Sequence, residues 1–419
     1  MRLIYLLLLF GVSLQIVAQP TADYFQQQVD VRIDVTLSDE DHTLDGNISM
    51  VYTNNSPDAL DVIYMHLWAN AYKNRTTAFA KQKIEQGDTK FYFAEAKELG
   101  NFGKLDFTVD GAPVKWAYDP SHVDIAILKL NEPLASGATI TISTPFLLTI
   151  PSSFSRLGHV GQSYQLTQWY PKPAVYDNEG WHPMPYLDMG EFYSEFGDYE
   201  VNITLPQNYV VGATGEVQDE RERAFLAKKA TETAAYLSQI TSEKSANLSQ
   251  RKFSAFPPSS KEMKTLRFKA ERVHDFAWFA DKRFMVQKSQ VAMPSGRMID
   301  TWTMFTETEQ ELWKKSIDYV NRSVAFYSDL VGEYPYPQAT AVQSALSAGG
   351  GMEYPMITVI GLSGNAQALD EVITHEVGHN WFYGILGFNE RDHVWLDEGI
   401  NSYYDHRYTK RYYPSEGTN

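Results

Sequence analysis

Two histidines and one glutamate occur within five consecutive residues of the segment LDEVITHEVGHNWFYG, residues 369 to 384. On a helix, His375 and His379 are four residues apart and face the same direction, so both imidazoles can reach one metal ion. Glu376 is rotated by about 100° from His375, which places it to take a proton from a water molecule beside the metal. The spacing predicts two metal ligands and one general base on a single helical turn.

A third candidate ligand, Glu398, stands in the segment VWLDEGINSYYD, and eighteen residues separate it from His379. Two imidazoles and one carboxylate leave one position of a tetrahedral zinc ion open, which is typical of catalytic sites. For the first motif alone, a helix that pairs two histidines for packing is the alternative, and the second motif argues against it. The sequence therefore predicts one zinc ion bound by His375, His379 and Glu398, a donor set that suits zinc best.

The motifs HEVGHNW and WLDEG, with this spacing, resemble the aminopeptidase N family of zinc metallopeptidases, which also contains leukotriene-hydrolase type enzymes. Upstream, GGGMEYP (349–355) is similar to the Gly-x-Met-Glu-Asn exopeptidase motif of that family, with Gly350, Met352 and Glu353 at matching positions. The resemblance implies that Glu353 binds the free amino terminus of a peptide substrate, while the adjacent backbone pairs with the peptide. Charge supports this role, because a buried carboxylate needs a cationic partner.

The elements that must position these residues begin with a long β-rich region. The stretch QQVDVRIDVTLSDEDHTLDGNISMVYTNNS alternates apolar and polar residues on both sides of the turn SDEDH, which predicts a hairpin with one buried face. The series of short strands favours an antiparallel sandwich or saddle. Further strands are predicted within residues 123–130, 138–144, 198–205 and 265–273.

From about residue 285 the pattern changes to helices. Thr306 and Glu309 form a candidate capping box, and apolar residues recur at helical spacing from Trp313 to Val331. A strand-like stretch, ATAVQSAL, precedes the glycine-rich motif.

We therefore predict an α+β fold with two domains. Residues 19–284 form an N-terminal antiparallel β-saddle or sandwich domain with a helical insertion at about 217–250. Residues 285–419 form an incomplete, mainly helical catalytic domain, which the resemblance implies to be thermolysin-like.

The first 18 residues, MRLIYLLLLFGVSLQIVA, have the layout of a secretory signal peptide. The apolar run is short for a spanning helix, so we expect an exported protein, periplasmic or secreted, with no membrane span after signal removal. The chain contains no cysteine, so its folding must rest on core packing rather than disulfides. The formal net charge of −16 argues against nucleic acid as a partner.

Three departures from the family pattern affect the functional interpretation. Tyr354 replaces the usual asparagine, and Tyr170 in TQWY stands where family members often carry an acidic or amide residue near the substrate amine. The family also supplies an oxyanion-stabilising tyrosine roughly sixty residues beyond the glutamate ligand, but only 21 residues follow Glu398. We interpret the chain as truncated, and we expect its late tyrosines to serve packing or lie on the surface: Tyr403, Tyr404, Tyr408, Tyr412 and Tyr413.

The leading functional hypothesis is a zinc-dependent aminopeptidase acting on peptides with a free amino terminus, with Glu376 as the general base. One alternative is an endopeptidase or another hydrolase on the same zinc scaffold, motivated by Tyr354 and Tyr170. A second is a catalytically silent, exported peptide-binding protein, motivated by the missing tyrosine donor.

Overall fold

The structure is a computed structural model that describes residues 24–239, 254–344 and 350–414. The predicted signal peptide (1–18), the end of the predicted insertion and Gly349 of the glycine motif lie outside the described residues.

A nine-stranded sheet forms the largest part of the N-terminal region. The predicted hairpin is confirmed: Gln28–Ser38 pairs antiparallel with Thr43–Thr53 along their whole length, and the alternating apolar residues are buried. One pairing differs from the antiparallel prediction, because Gln28–Ser38 runs parallel to Gly197–Pro206. The long segment between these two strands gives the chain room to cross over and return in the same direction. The strands in sheet order are Glu216–Val217, Met263–Val273, Gly197–Pro206, Gln28–Ser38, Thr43–Thr53, Thr139–Thr149, Thr108–Val109 and Ala112–Pro113, with Asn101–Leu105 also paired to Thr139–Thr149.

Three smaller sheets complete this β-rich region. The first contains Gly158–Val160, Ser163–Leu166, Trp278–Asp281 and Val210–Ala213. The second contains Lys172–Pro173, Leu60–His66, Ile125–Leu134 and Lys115–Tyr118, and the third Tyr176–Asp177 and Gly180–Trp181.

A mixed five-stranded sheet opens the second region and supports the helices behind it. Sequence analysis predicted only one of its strands. The first strand, Met285–Ala292, has a single buried residue and so a weak apolar pattern, whereas Met298–Phe305 is mostly buried and was missed. The strands in sheet order are Met285–Ala292, Met298–Phe305, Gln338–Gln343, Ile357–Ile360 and Gly351–Tyr354.

Seven α-helices are found in the described residues, and the last five belong to the second region. The helical insertion is seen as α2. In chain order they are α1 (Ala78–Glu85), α2 (Glu220–Leu237), α3 (Gln310–Trp313), α4 (Ser316–Leu330), α5 (Ala366–Phe382), α6 (Glu390–His393) and α7 (Glu398–Tyr412). Short 3-10 turns occupy Trp68–Tyr72, Ala96–Glu98, Glu307–Glu309 and Val394–Leu396.

The predicted capping box at Thr306 is wrong. The side chain of Thr306 makes no capping hydrogen bond, and its hydroxyl instead donates to Gln343 Oε1 at 3.0 Å. The long helix α4 begins only at Ser316, after a 3-10 turn and the short α3. The Thr306 hydroxyl therefore bonds to Gln343 on a neighbouring strand and does not cap a helix.

The α+β fold class, with a β-rich N-terminal part and a helical C-terminal part, is confirmed. Within the described ranges, no helix has the length and apolar character needed to cross a bilayer.

Candidate metal centre

Helix α5 carries the first motif and is fixed on three sides. Its first turn is capped by Asn365, whose Oδ1 accepts a hydrogen bond from Ala368 N at 2.9 Å. The helix packs against α4, α7 and the strands Gly351–Tyr354 and Ile357–Ile360. The sequence motif therefore lies inside the second region rather than on its surface.

The three predicted ligands come together at one point between α5 and α7. His375 Nε2 lies 3.1 Å from His379 Nε2. Glu398 Oε2, from the first residue of α7, lies 3.3 Å from His375 Nε2 and 3.9 Å from His379 Nε2. The donor atoms of all three residues fall within 4.8 Å of one another, a spacing that one ion can bridge.

Each histidine is held by a carboxylate on its other nitrogen. Asp405 Oδ2 lies 2.7 Å from His375 Nδ1, and Asp397 Oδ1 lies 2.5 Å from His379 Nδ1. Such carboxylates fix the tautomer and orientation of a ligand imidazole, leaving Nε2 free to bind metal. Sequence analysis missed both, although Glu398 and Asp405 are seven residues apart and so share one face of α7.

Gly378, in the middle of the His-Glu-x-x-His turn, lets α4 and α7 approach α5. A Cβ atom at this position would lie 2.1 Å from Asn401 Oδ1 and 2.4 Å from the Tyr327 hydroxyl. Asn401 Nδ2 donates to the backbone oxygen of His375 at 2.7 Å, and Tyr327 donates to Asn401 Oδ1 at 2.9 Å. Because Gly378 has no side chain, Asn401 and Tyr327 can form these hydrogen bonds, which connect α5 to α7.

The electrostatics of the centre favour positive charge. Burial alone lowers the pKa of His375, but hydrogen bonds to Asp405 and Glu398 outweigh it and raise that pKa to about 11. Burial also lowers the pKa of His379, but the carboxylates of Glu353 and Asp397 outweigh this effect and raise that pKa to about 10. The carboxylates that raise these pKa values also attract a metal cation, which binds as the imidazoles lose their second protons.

Glu376, the predicted base, is buried and points toward the strand that carries the exopeptidase motif. Burial raises its pKa to about 7, against the lowering effect of His379 and His375. Its Oε2 has no hydrogen-bond partner among the described residues. A Cβ at Gly351 would lie 2.3 Å from Glu376 Oε1, so only glycine allows this approach.

Of the three predicted substrate-binding residues, Met352 and Glu353 lie in the strand Gly351–Tyr354 and Gly350 directly precedes it. Glu353 is buried, and one of its oxygens lies within 4.8 Å of donor atoms of both Glu376 and His379. Met352 is buried behind it, while Gly350 is exposed and its backbone oxygen accepts from Gly361 N at 2.9 Å. The structure thus brings Glu353 to the metal centre, and of the glycines it places Gly351, not Gly350, against the base.

The departures at Tyr170 and Tyr354 have distinct structural outcomes. Tyr170 donates to Asp275 Oδ1 at 2.7 Å inside the β-rich region. Instead, Gln168 of the same TQWY motif reaches the exopeptidase strand, where its Oε1 accepts from the Tyr354 hydroxyl at 3.1 Å. Gln168 has a φ of 50°, unusual for a residue with a side chain, and was not predicted as a site residue.

The late tyrosines behave as predicted, as packing or surface residues. Tyr408 and Tyr413 donate to the two oxygens of Asp370 on α5, at 2.8 and 2.6 Å. Tyr404 stacks on Phe382, and Tyr403 is exposed.

The residues fit a zinc ion. Two imidazole nitrogens, both oriented by carboxylates, and one carboxylate oxygen converge, and a buried glutamate stands beside them. This is the donor set of a catalytic zinc site, with one coordination position left for water or substrate.

Comparison with known proteins places these features in a family. Residues 315–419 match the peptidase family M1 domain. Aminopeptidase N of Lactobacillus delbrueckii subsp. lactis is 30% identical over 119 residues, which are 25% of this chain and 14% of that protein. Aminopeptidase Q of Mus musculus is 24% identical over 129 residues, 25% of this chain and 23% of that protein. The matched stretch is thus less than a quarter of either relative.

Solved structures resemble the chain over nearly its whole length. A mutant of the M1 zinc metallopeptidase from Deinococcus radiodurans has a TM-score of 0.55 at 13% identity, covering 93% of this chain and 71% of that one. A mutant of that enzyme bound to a Tyr-Ser-Ala substrate gives 0.54 at 13%, covering 94% and 72%. At this identity the likeness shows the fold. The match and the two motifs thus show a peptidase M1 domain in residues 315–419, and the chain as a whole shares the fold of M1 zinc metallopeptidases.

Proposed function

We propose that the protein is a zinc-dependent aminopeptidase that removes the N-terminal residue from peptides. The observation that carries the proposal is the position of Glu353, whose carboxyl lies within 4.8 Å of donor atoms of Glu376 and His379. If Glu353 binds the substrate amine, the first peptide bond lies next to Glu376 and the metal ligands, which suits cleavage of that bond. The aminopeptidase relatives support the same class of activity.

In this mechanism the protein side chains divide the work. Zinc, when bound by its three ligands, supplies Lewis acidity at the attacking water and the scissile carbonyl. Glu376 takes the proton of that water and passes it to the leaving amine. Glu353 holds the ammonium group of the substrate through a charge-assisted hydrogen bond, which fixes the first peptide bond opposite Glu376.

Hydrolysis of free and amino-blocked substrates tests the proposal. We expect the zinc-loaded protein to cleave aminoacyl substrates with a free amine and to spare their N-acetylated forms. Glu376→Gln should lower the rate by about 10²–10⁴-fold without loss of zinc, because only proton transfer is removed. Glu371→Gln, on the partly exposed side of the same helix, is the matched control and should keep full activity.

Two outcomes contradict the aminopeptidase proposal. Equal cleavage of blocked peptides favours the endopeptidase alternative. Peptide binding with no turnover by a zinc-loaded protein favours the silent binding protein.

We also propose that the protein is exported, on the signal-like residues 1–18. N-terminal sequencing of the protein isolated from its native cells should find a mature chain beginning near Gln19. A cytosolic protein that retains Met1 to Ala18 would contradict export.

A further inference from the structure

A cleft of about 700 Å³ lies between the β-rich region and the second region, apart from the metal centre. The end of the strand Met263–Val273 lines it on one side, and residues 335–337 line it on the other, together with Gly384 and Ile385 after α5. None of the described residues that line it is a predicted zinc ligand, the base or Glu353. The cleft has the size of a small-molecule site, about 300–1,000 Å³.

The apolar part of the lining is held in place by hydrogen bonds. Tyr336 and Met356 are buried in it, and the half-buried ring of Phe196 lies beside them. The Tyr336 hydroxyl donates to the backbone oxygen of Gly384 at 3.1 Å, and Met356 N donates to Asn380 Oδ1 at 3.1 Å. An aromatic or aliphatic ligand would therefore meet a preformed apolar surface.

A β-bulge places Arg272 at the cleft. Glu271 and Arg272 lie opposite the single residue Asp198 of the neighbouring strand, and Asp198 Oδ1 accepts from Arg272 N at 2.9 Å. The φ of Arg272 is 53°, a left-handed conformation that is uncommon for a residue with a side chain. Bulges and strained residues of this kind are common beside functional sites, where they change the direction of a side chain.

Arg272 is the cation of the cleft that has free donors. Within the described ranges, its guanidinium makes no hydrogen bond and no ion pair. Arg297 also lines the cleft, but its Nη1 donates to the backbone oxygen of Tyr336 at 2.9 Å. Lys269 is paired with Glu200 at 3.2 Å. An anion in the cleft would thus be bound chiefly by Arg272, with added positive charge from Arg297.

Two carboxylates limit the charge of the ligand. Glu216 and Glu271 line the same cleft and would repel a ligand with several negative charges. A ligand with one carboxylate needs only the guanidinium of Arg272 and leaves the rest of its surface for the apolar lining. The lining therefore favours a singly charged, largely apolar acid.

We propose that this cleft binds an apolar monocarboxylate, such as an N-acylated aromatic or aliphatic amino acid. The Arg272 guanidinium holds the carboxylate through charge-assisted hydrogen bonds, and the apolar body packs on Tyr336, Met356 and Phe196. The inference rests neither on zinc binding nor on the proposed aminopeptidase activity.

Calorimetric titration with N-acetyl-L-phenylalanine and with its carboxamide tests the inference. Neither probe has a free amine for Glu353, and the two differ only in the carboxylate. We expect the amide to bind about 10–100-fold more weakly than the acid, because it cannot form the charged hydrogen bond to Arg272. The affinity for the acid should be the same in zinc-loaded and in chelator-treated protein, because the cleft contains none of the zinc ligands.

Two variants of the strand Met263–Val273 assign the binding to Arg272. Asparagine tolerates a positive φ, so Arg272→Asn should fold normally and bind the acid about 10–100-fold more weakly, while its affinity for the amide stays unchanged. Arg267→Gln, exposed on the same strand and outside the cleft, is the matched control and should bind both probes like the unmodified protein. Circular dichroism checks the folding of both variants.

Several results would overturn the proposal. Equal affinity for acid and amide, or no detectable binding of the acid at millimolar concentration, would exclude a carboxylate site in the unmodified protein without need of any variant. Full affinity for the acid in Arg272→Asn would exclude the assigned residue. Loss of binding on removal of zinc would assign the carboxylate to the metal centre instead.

Discussion

Identical carboxyl groups take different roles in this centre because their surroundings differ. Glu398 is partly exposed at the start of α7 and faces both histidine Nε2 atoms, which suits a metal ligand. Glu376 is buried with one unpartnered oxygen, which suits a base. Asp405 and Asp397 face Nδ1 atoms and orient the rings. The role of each acid follows from the atom it faces.

Three helices pack closely at Gly378, so adding a single methyl group there should destabilise the protein. We expect Gly378→Ala to lower the free energy of unfolding by about 1–3 kcal/mol, because the new methyl group must displace Asn401 or Tyr327. Zinc affinity should fall as well, since Asn401 is bonded to the backbone of His375. Urea denaturation and chelator competition measure the two effects.

Gly364→Ala serves as the control for that variant, because a Cβ at Gly364 meets no atom within 4 Å. Equal stability of the two variants would mean that α4 and α7 do not hold their close approach to α5 in solution.

The buried Asp124 predicts a pH dependence of stability. Its side chain accepts a hydrogen bond from Tyr186 N at 2.7 Å, but burial raises the pKa of Asp124 to about 6, with His122 and Arg391 opposing the rise. Because the folded pKa exceeds the ordinary value, its contribution to stability is fully present below about pH 4 and is lost as the pH rises through 6. A pKa difference of about two corresponds to about 3 kcal/mol.

Asp124→Asn, which keeps an acceptor for Tyr186 and cannot ionise, isolates this effect. The difference in unfolding free energy between variant and unmodified protein should move in favour of the variant between pH 4 and pH 7. Denaturant titrations at several pH values measure it, and a constant difference would contradict the buried charge.

Helix α7 is the element on which the centre depends, because it supplies Glu398, Asn401 and Asp405. These three residues lie on one face, at spacings of three and four, and all point toward α5. The other end of the helix is tied down by Asp370, which accepts from Tyr408, Tyr413 and Arg322. The hydrogen bonds to Asp370 thus help to hold α7, and with it Glu398, in position.

Removal of one hydroxyl from this anchor tests its contribution. We expect Tyr408→Phe to lower the free energy of unfolding by about 1–3 kcal/mol, because Asp370 is buried and loses a hydrogen bond. Tyr403→Phe, on the exposed face of the same helix, should change it by no more than about 0.5 kcal/mol. Similar values for both variants in urea denaturation would show that the end of α7 is not anchored in this way.

At the scale of the whole molecule, hydrogen bonds join the β-rich region to the second region near the metal centre. Arg391 of α6 donates to the backbone oxygen of Glu191 at 2.8 Å, and Gln168 accepts from Tyr354 on the exopeptidase strand. Gln338 Nε2, from the five-stranded sheet, donates to Gly215 O at 3.0 Å. The β-rich region therefore contacts both the segment before the glutamate ligand and the strand that bears Glu353.

Zinc bound by residues from two helices should stabilise the folded chain as a whole. At free zinc about 100 times the dissociation constant, we expect a gain of about 2.7 kcal/mol in the free energy of unfolding, because the unfolded chain lacks the site. Thermal unfolding with zinc or with a chelator measures this gain, and His375→Ala should abolish it. An unfolding temperature that is insensitive to zinc in the unmodified protein would contradict a site formed on folding.

The sequence by itself determined those features that depend on near neighbours along the chain. Helical periodicity alone puts His375 and His379 on one face and Glu376 beside them, and alternation alone predicts the hairpin of residues 28–53. The late tyrosines were also assigned correctly to packing or the surface. They lie too few residues after Glu398 to match the oxyanion-stabilising tyrosine, and this spacing can be read from the sequence.

The tertiary structure decided which distant groups meet. The bond from Thr306 to Gln343 overrides a local capping signal, and the fit of Glu376 against Gly351 joins a helix to a strand. Asp397 and Gln168 gain their positions only when separate elements pack, because side-chain contacts across elements are set by packing in three dimensions and leave no fixed spacing in the sequence.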